Sequence, residues 1–315
     1  MDAVEKIIVV TRKTPLEELI ERFNSRAQAK FYLEHAGAPF ARYEAEHDTY
    51  YQSLDTLRKG LPREPKAQYI DRSFLPTFQF GDRDLVVTVG QDGLVVNVAK
   101  YLTTQPILAF NPDPTRVDGV LIPFLVREAR RIVPRLLAGH MKVKRISMAS
   151  AELNDGQALL AVNDLFIGPR SHISAKYELA FREAHEPQSS SGIIVSTGTG
   201  STGWLQSVVT GAAAITKAMV KKEIKMPAPN QYRFDGASDE LYFAVREPFT
   251  SRTSQATIVC GQIGPQEYLY VTSHMPGYGI IFSDGIESDF VTFNSGAIAK
   301  VGLADRKAHL IVGTL

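Results

Sequence analysis

Residues 84–100, D-L-V-V-T-V-G-Q-D-G-L-V-V-N-V-A-K, limit the possible folds of this chain more than any other stretch. Residues 85–89 are an apolar, largely β-branched run, the pattern of a buried strand. The run stops at Gly90-Gln91-Asp92-Gly93, and from Leu94 to Leu102 apolar residues return at helical spacing. Strand, glycine turn and helix in succession is an α/β arrangement that aims the unpaired amides of a helix start, with their partial positive charge, at a phosphate. Asp92 sits inside that turn. A carboxylate placed where phosphates are expected is unfavourable unless it binds a metal ion or takes a proton. The stretch therefore points to a nucleotide brought to Asp92.

The chain has 315 residues, which suggests two domains. Its 44% hydrophobic and 22% charged residues suit globular domains with sizeable cores, and a net charge of +1 offers no field to recruit nucleic acid or a membrane surface. The single cysteine, Cys260, ends an apolar run and is expected to be buried in a reducing compartment; it excludes an intramolecular disulfide and a cysteine-based zinc site. No apolar run approaches the roughly 18–20 residues of a membrane span, and residues 1–10 resemble neither a signal nor a transit peptide, so a cytoplasmic protein is expected.

Along the first half, residues 6–10 read as a buried strand. Thr14-Pro15 starts a helix expected to reach about Glu34, residues 42–59 form a second, and residues 72–80 a packed loop. Residues 106–110 are a further strand running into the stiff turn Asn111-Pro112-Asp113-Pro114. Loops at the C-terminal ends of strands hold ligands in open α/β sheets, so this turn, with Asn111 and Arg116, is expected beside Gly90–Gly93. Residues 122–137 read as a helix despite Pro134. Beyond residue 140 the texture becomes that of short strands separated by turns, among them 142–150, 157–167 after the hairpin signal Asn154-Asp155-Gly156, and 256–260. One helix, about 201–220, interrupts them. The expected domains are 1–139, α/β and nucleotide-binding; 140–294, a β-sandwich; and 295–315, a segment that returns toward the first.

Residues 189–204, S-S-S-G-I-I-V-S-T-G-T-G-S-T-G-W, repeat the opening pattern of strand, turn and helix. Gly198, Gly200 and Gly203 allow close approach, Thr199 and Thr202 offer hydroxyls, and Trp204, the one tryptophan, is placed to stack on a base or to fill the core. Asn163-Asp164 interrupts an apolar strand, as ribose ligands or as a bulge. Two phosphate-type turns in separate domains suggest a ligand in the cleft between them.

Together these stretches resemble the NAD kinase family, whose members carry G-G-D-G-T, an N-E or N-D pair and a G-L-x-x-S-T-x-T-G-S-T-A-Y run. The matches here are Gly90–Leu94, Asn163-Asp164 and 192–204, in the right order. Residues 111–119 and the stretch around Ser191, which stands where bacterial members have Asp, look nearer the mitochondrial-type branch. The resemblance implies a Rossmann- or phosphofructokinase-like α/β domain plus an all-β sandwich. It implies phosphorylation of the adenosine ribose 2′-hydroxyl of NAD, using ATP and a divalent metal (Mg or Mn), by a homo-oligomer. Carried over, Asp92 accepts the hydroxyl proton; Gly90 and Gly93 approach phosphates; Asn163 and Asp164 hold NAD; Ser191, Thr199, Gly200, Thr202 and Ser207 surround it; and Trp204 replaces a Tyr. Asn111 and Arg116 join the nucleotide set through their loop, and no metal ligands are assigned.

Two departures touch the donor side: Gln91 replaces a Gly and Leu94 a Thr, removing a hydroxyl from the helix start. They leave open a catalytically impaired NAD(P)(H)-binding protein, or a kinase with a sugar or lipid acceptor, as alternatives to an active NAD kinase. Glu46-His47-Asp48 reads as a solvated helix face, and 221–225 as a charged surface run.

Overall fold

The computed structural model describes residues 4–220, 228, 232–287 and 289–314. It divides into two units, one running through Lys144 and taking in the chain from His309, the other spanning Arg145–Ala308.

The first unit is built on a sheet whose strands lie in the order Ala67–Asp71, Lys6–Thr11, Asp84–Val89, Pro106–Asn111, Ala308–Thr314, Met141–Ile146. The contiguous pairs among the first four are parallel, and Ala308–Thr314 joins Pro106–Asn111 in the same sense. Every residue of Asp84–Val89 is buried, as expected of a central parallel strand read as a continuous apolar run. Thr14 and Glu17 form a capping box with Pro15 at the first helical position, so Pro15–Phe23 begins where its sequence says. The expected single helix to residue 34 is in fact two. Asn24 takes a left-handed φ of 60°, Ser25 caps the next turn, and the chain restarts as Arg26–His35. Phe40–Gly60 follows, burying Phe40, Tyr50 and Leu57.

The packed loop expected at 72–80 is largely a 3-10 turn, Arg72–Thr77, whose start is capped by Asp71; the edge strand before it, Ala67–Asp71, gave no clear sequence signal. The helix expected over 122–137 is shortened to Ala129–Leu137, because Glu128 accepts the Leu125 amide and ends the preceding extended piece. The division between units falls after Lys144 rather than near 139, since Met141–Ile146 enters as the edge strand of the first sheet. Residues 295–315 are not one segment: Ile298–Leu303 lies in a sheet of the second unit and Ala308–Thr314 in that of the first.

The second unit is a pair of antiparallel sheets. One runs Ala184–Ser190, Ala175–Phe181, Leu269–Ser273, Ile298–Leu303, Ala149–Leu153, Ala158–Ala161; the other runs Cys260–Ile263, Leu241–Val245, Ile193–Ser196, Asp164–Pro169, Gly279–Ser283, Val291–Thr292. Their inner faces share one core, in which Tyr177, Leu179, Val271 and Val301 of the first sheet meet Leu165, Val195, Phe243 and Ile281 of the second. Alternation is plain in Ala175–Phe181, whose odd-numbered residues from Ala175 to Leu179 face inward. The strand expected across 157–167 is two strands in different sheets, and Asn163 lies at the corner between them. Cys260 is exposed on an edge strand rather than buried.

Candidate functional site

In the first unit, Asp84–Val89 delivers the chain to Gly90, whose amide bonds the Phe110 carbonyl at 3.3 Å, and the helix Asp92–Ala99 begins two residues later. Gln91 precedes it in an extended conformation and makes no side-chain cap, so the first amides keep no partner from that side chain. Asp92 is held by the loop that follows the next strand: its two oxygens accept the amides of Val120, at 3.0 Å, and Leu121, at 2.8 Å. That loop is shaped by Asn111. The Asn111 carboxamide donates to the Val117 carbonyl at 2.8 Å and accepts the Asp113 amide at 2.9 Å. Gly119 turns the loop back at a φ of +70°, where an added Cβ would lie 2.4 Å from Ile122. Asn111 thus shapes this loop with both ends of its side chain, and Arg116 pairs with Asp113 at 3.3 Å.

Beside this turn is a pocket of about 140 Å³ lined by Arg12, Arg42, Tyr50, Gln91, Asp113 and Arg116, among others. The Gln91 side chain is exposed and lines that pocket. Leu94 does not face a phosphate: it is 3% exposed, and an added Cβ on Gly90 would meet its Cδ2 at 2.9 Å. The residue is a core contact for the turn, so the expected loss of a ligand-facing hydroxyl does not apply. Gly93 has open space where its Cβ would be.

In the second unit the corner at Asn163-Asp164 is fastened by Asp284, whose carboxylate accepts the amides of Val162, Asn163 and Asp164 at 3.2, 2.7 and 3.3 Å. Thr197 ties its amide to the Asn163 carbonyl at 2.9 Å and its hydroxyl to the Val162 carbonyl. The glycines of the second turn serve this packing: a Cβ on Gly200 would fall 2.3 Å from the Asn163 carbonyl, and one on Gly198 2.1 Å from that of Asp235. Two polar atoms here are buried without partners, Asp164 Oδ1 and Thr199 Oγ1. Burial pushes the Asp164 carboxyl up to about 7; a hydrogen bond from Ser196 opposes this, and the like charge of Asp284 adds to it. Thr202 and Ser207 are exposed, and the Ser207 hydroxyl donates to Gly203.

Trp204 is half-buried and stacks on two rings, Phe166 at 5.6 Å and Phe282 at 6.4 Å between centroids, with the Arg246 guanidinium over it at 5.3 Å. With Ser191, Arg170 and Arg246 it lines a cavity of about 570 Å³. The structure thus brings Ser191 and Trp204 to one cavity and Asn163, Asp164, Thr199 and Gly200 to one corner. Sequence reasoning missed Arg12 and Arg246. The signal was there: each directly follows a buried strand end. Arg170 carried the same signal, directly following Pro169, whereas Phe166 and Phe282 carried none, being ordinary members of apolar runs.

Glu46 pairs with Arg12 at 3.4 Å and His47 bonds the Thr14 hydroxyl at 2.9 Å, so that triplet is structural. Among the described residues no group of three or more His, Cys, Asp or Glu could hold a metal ion. No described helix is long and apolar enough to cross a membrane. The charged run 221–225 lies outside the described residues.

No protein-family model matches the chain. Among curated proteins, it is 24% identical over 221 residues to a probable NADH kinase of Oryza sativa subsp. japonica, a match covering 65% of this chain and 63% of that protein. The chain thus spans less than two thirds of that relative's length. Its fold matches that of yeast NADH kinase, crystallised with NADH, with a TM-score of 0.60 at 13% identity, covering 99% of this chain and 85% of the other. The chain is similar in sequence to NAD and NADH kinases and shares the fold of the solved ones. An NAD kinase from Archaeoglobus fulgidus in complex with ATP overlays with a TM-score of 0.55 at 15% identity, covering 97% of this chain and 93% of that one.

Proposed function

We propose that this chain is an NAD kinase, transferring a phosphoryl group from ATP or another phosphoanhydride donor to the adenosine ribose 2′-hydroxyl of NAD. The observation that carries the reading is Asp92, a carboxylate on the first turn of a helix at the C-terminal end of a central parallel strand, beside an arginine-lined pocket. An alcohol attacks a phosphoanhydride only once a base takes its proton, and the transfer otherwise needs positioning and charge neutralisation. Asp92 is the base; the two loop amides orient its carboxylate and leave each oxygen a further lone pair.

NAD binding rests on the second unit. The aromatic wall of Phe166, Trp204 and Phe282 offers stacking, Arg170 and Arg246 offer charge, and Asp164 Oδ1 and Thr199 Oγ1 are polar atoms that a ribose hydroxyl would satisfy. A divalent metal bound with the donor would neutralise phosphate charge. The names of the rice and yeast relatives support NADH as an acceptor as well. The homo-oligomer expected of the family belongs to this reading too.

A second reading, an NAD(P)(H)-binding protein without turnover, is favoured by the engagement of both Asp92 oxygens with loop amides. The deciding assay supplies NAD or NADH, ATP or polyphosphate, and Mg²⁺ or Mn²⁺, and follows formation of the 2′-phosphorylated dinucleotide. Its formation supports the kinase; dinucleotide binding with no product under every pairing leaves the second reading.

A further inference from the structure

The sheet of the first unit has its reversal of strand order at Lys6–Thr11 and Asp84–Val89: these two strands are parallel neighbours, and the later strands extend outward on either side. Open α/β sheets bind ligands at the carboxyl ends of the strands where the order reverses. Arg12 directly follows one of these strands, and Gln91 lies two residues beyond the other. Both line the same pocket, which Arg42 and Arg116 complete from two other elements.

The arginines are incompletely satisfied. Arg12 Nε is buried without a partner; its Nη1 donates to the Lys13 carbonyl at 3.3 Å, its Nη2 reaches Glu46 at 3.4 Å, and the guanidinium lies 5.5 Å from the Tyr50 ring centre. The Tyr50 hydroxyl accepts the Arg12 amide and donates to the Val89 carbonyl, fixing the arginine to the end of the second strand. Among the described residues the exposed Arg42 guanidinium has no hydrogen-bond or ion-pair partner. Arg116 is paired with Asp113. Three guanidinium groups therefore face two carboxylates, Glu46 and Asp113, leaving an excess of positive charge beside a helix start. A volume of about 140 Å³ walled by three guanidinium groups has room for one or two phosphoryl groups.

We propose that Arg12, Arg42 and Arg116, with the Gln91 carboxamide, dock the terminal phosphates of a phosphoanhydride donor. The proposal rests on the kinase reading and adds to it the groups that grip the donor. Guanidinium forks match phosphate oxygens in pairs, and a carboxamide N–H₂ supplies a donor where a glycine would offer only its backbone. Gln91, the departure from the family turn, thereby becomes part of donor recognition. The grip is on phosphate rather than base, so ATP and inorganic tripolyphosphate share it.

The test compares Arg42→Gln and Arg12→Gln with Lys59→Gln, which removes an exposed charge from the same helix as Arg42. Donor saturation is measured with ATP and with tripolyphosphate, NAD saturation is measured separately, and tripolyphosphate binding is followed by calorimetry. We expect each arginine variant to raise the donor KM by about 10- to 100-fold, the range for losing a charge-assisted hydrogen bond. The rise should be equal for both donors and should shrink at high salt, with the NAD KM and the Lys59→Gln control unchanged. Arg42 is exposed, so its variant tests the site even where Arg12→Gln fails to fold. Unchanged donor KM and unchanged tripolyphosphate affinity in Arg42→Gln overturn the proposal, as does an effect confined to ATP. A wild-type protein that makes no NADP yet binds tripolyphosphate, and loses that binding in the variants, sinks the kinase reading and leaves the phosphate site standing.

Discussion

Asp164→Asn is expected to stabilise the second unit at alkaline pH and to change little at acid pH. In the folded protein burial, with its Oδ1 left without a partner and the like charge of Asp284 adding to it, pushes the carboxyl up to about 7 from the 3.8 of a free aspartate. The sign follows from which state holds the proton. Below 3.8 both states are protonated and the group costs nothing. Between 3.8 and 7 the unfolded chain ionises first, so stability falls as pH rises, and above 7 the full penalty is present. The distance from 3.8 to about 7 corresponds to at most roughly 4 kcal/mol. Asparagine removes the charge while keeping the shape.

The assay is urea unfolding of both proteins at pH 4.5 and 8.5, read by the fluorescence of Trp204, the only tryptophan, which lies in the second unit. The stability gap between variant and wild type should widen by about 2–4 kcal/mol from the lower pH to the higher. A gap independent of pH, or a variant that loses stability relative to wild type at pH 8.5, refutes the reasoning. The same linkage gives a second readout. A ribose hydroxyl donating to Asp164 favours the ionised form, so NAD affinity should fall as pH drops below about 7, by up to roughly tenfold per unit.

Asp92→Asn should lower product formation by about 10²- to 10⁴-fold while leaving NAD affinity within a few-fold, measured by initial rates and equilibrium binding. Leu94→Thr, which restores the family residue, should cost about 2–4 kcal/mol in chemical denaturation and give no gain in turnover, because the side chain fills the core beneath Gly90. Gly119→Ala should cost about 1–3 kcal/mol and loosen the loop over Asp92, seen as faster exchange of the Val120 and Leu121 amides. Trp204→Ala removes two ring contacts and a cation–π contact, and should lose about 2–3 kcal/mol together with NADH binding.

The α/β character of the first unit was legible because its central strands are buried on both faces and read as unbroken apolar runs, as at residues 85–89. Capping chemistry located the helix at Pro15, and the same chemistry at Asn24-Ser25 stopped it, a signal that continuous helical spacing had hidden. Ala67–Asp71 is a half-exposed edge strand with little apolar content, so it had no run to read. The Asn163-Asp164 break was visible as an anomaly, but its cause was not. It depends on Asp284, more than a hundred residues away, and no local pattern records such a bond. The glycines of 198–200 were read as room for a ligand and turned out to be room for neighbouring backbone; the two needs look identical in sequence. Arginine-lined pockets assemble from separate elements, which is why Arg42, within a helix, emerged only from the fold.

The interposition of Ala308–Thr314 between Pro106–Asn111 and Met141–Ile146 bears on how the protein is made. During synthesis the N-terminal half emerges with a gap in its sheet, and the strand that fills it is translated only after all of the second unit. Until then the flank of Pro106–Asn111, covered only at Phe110-Asn111 by Phe124-Leu125, leaves its first residues with unpaired amides and carbonyls, a ready template for another nascent chain. Ribosome-bound intermediates stalled before residue 308 should therefore be the aggregation-prone species, and those from which residue 314 has emerged should not.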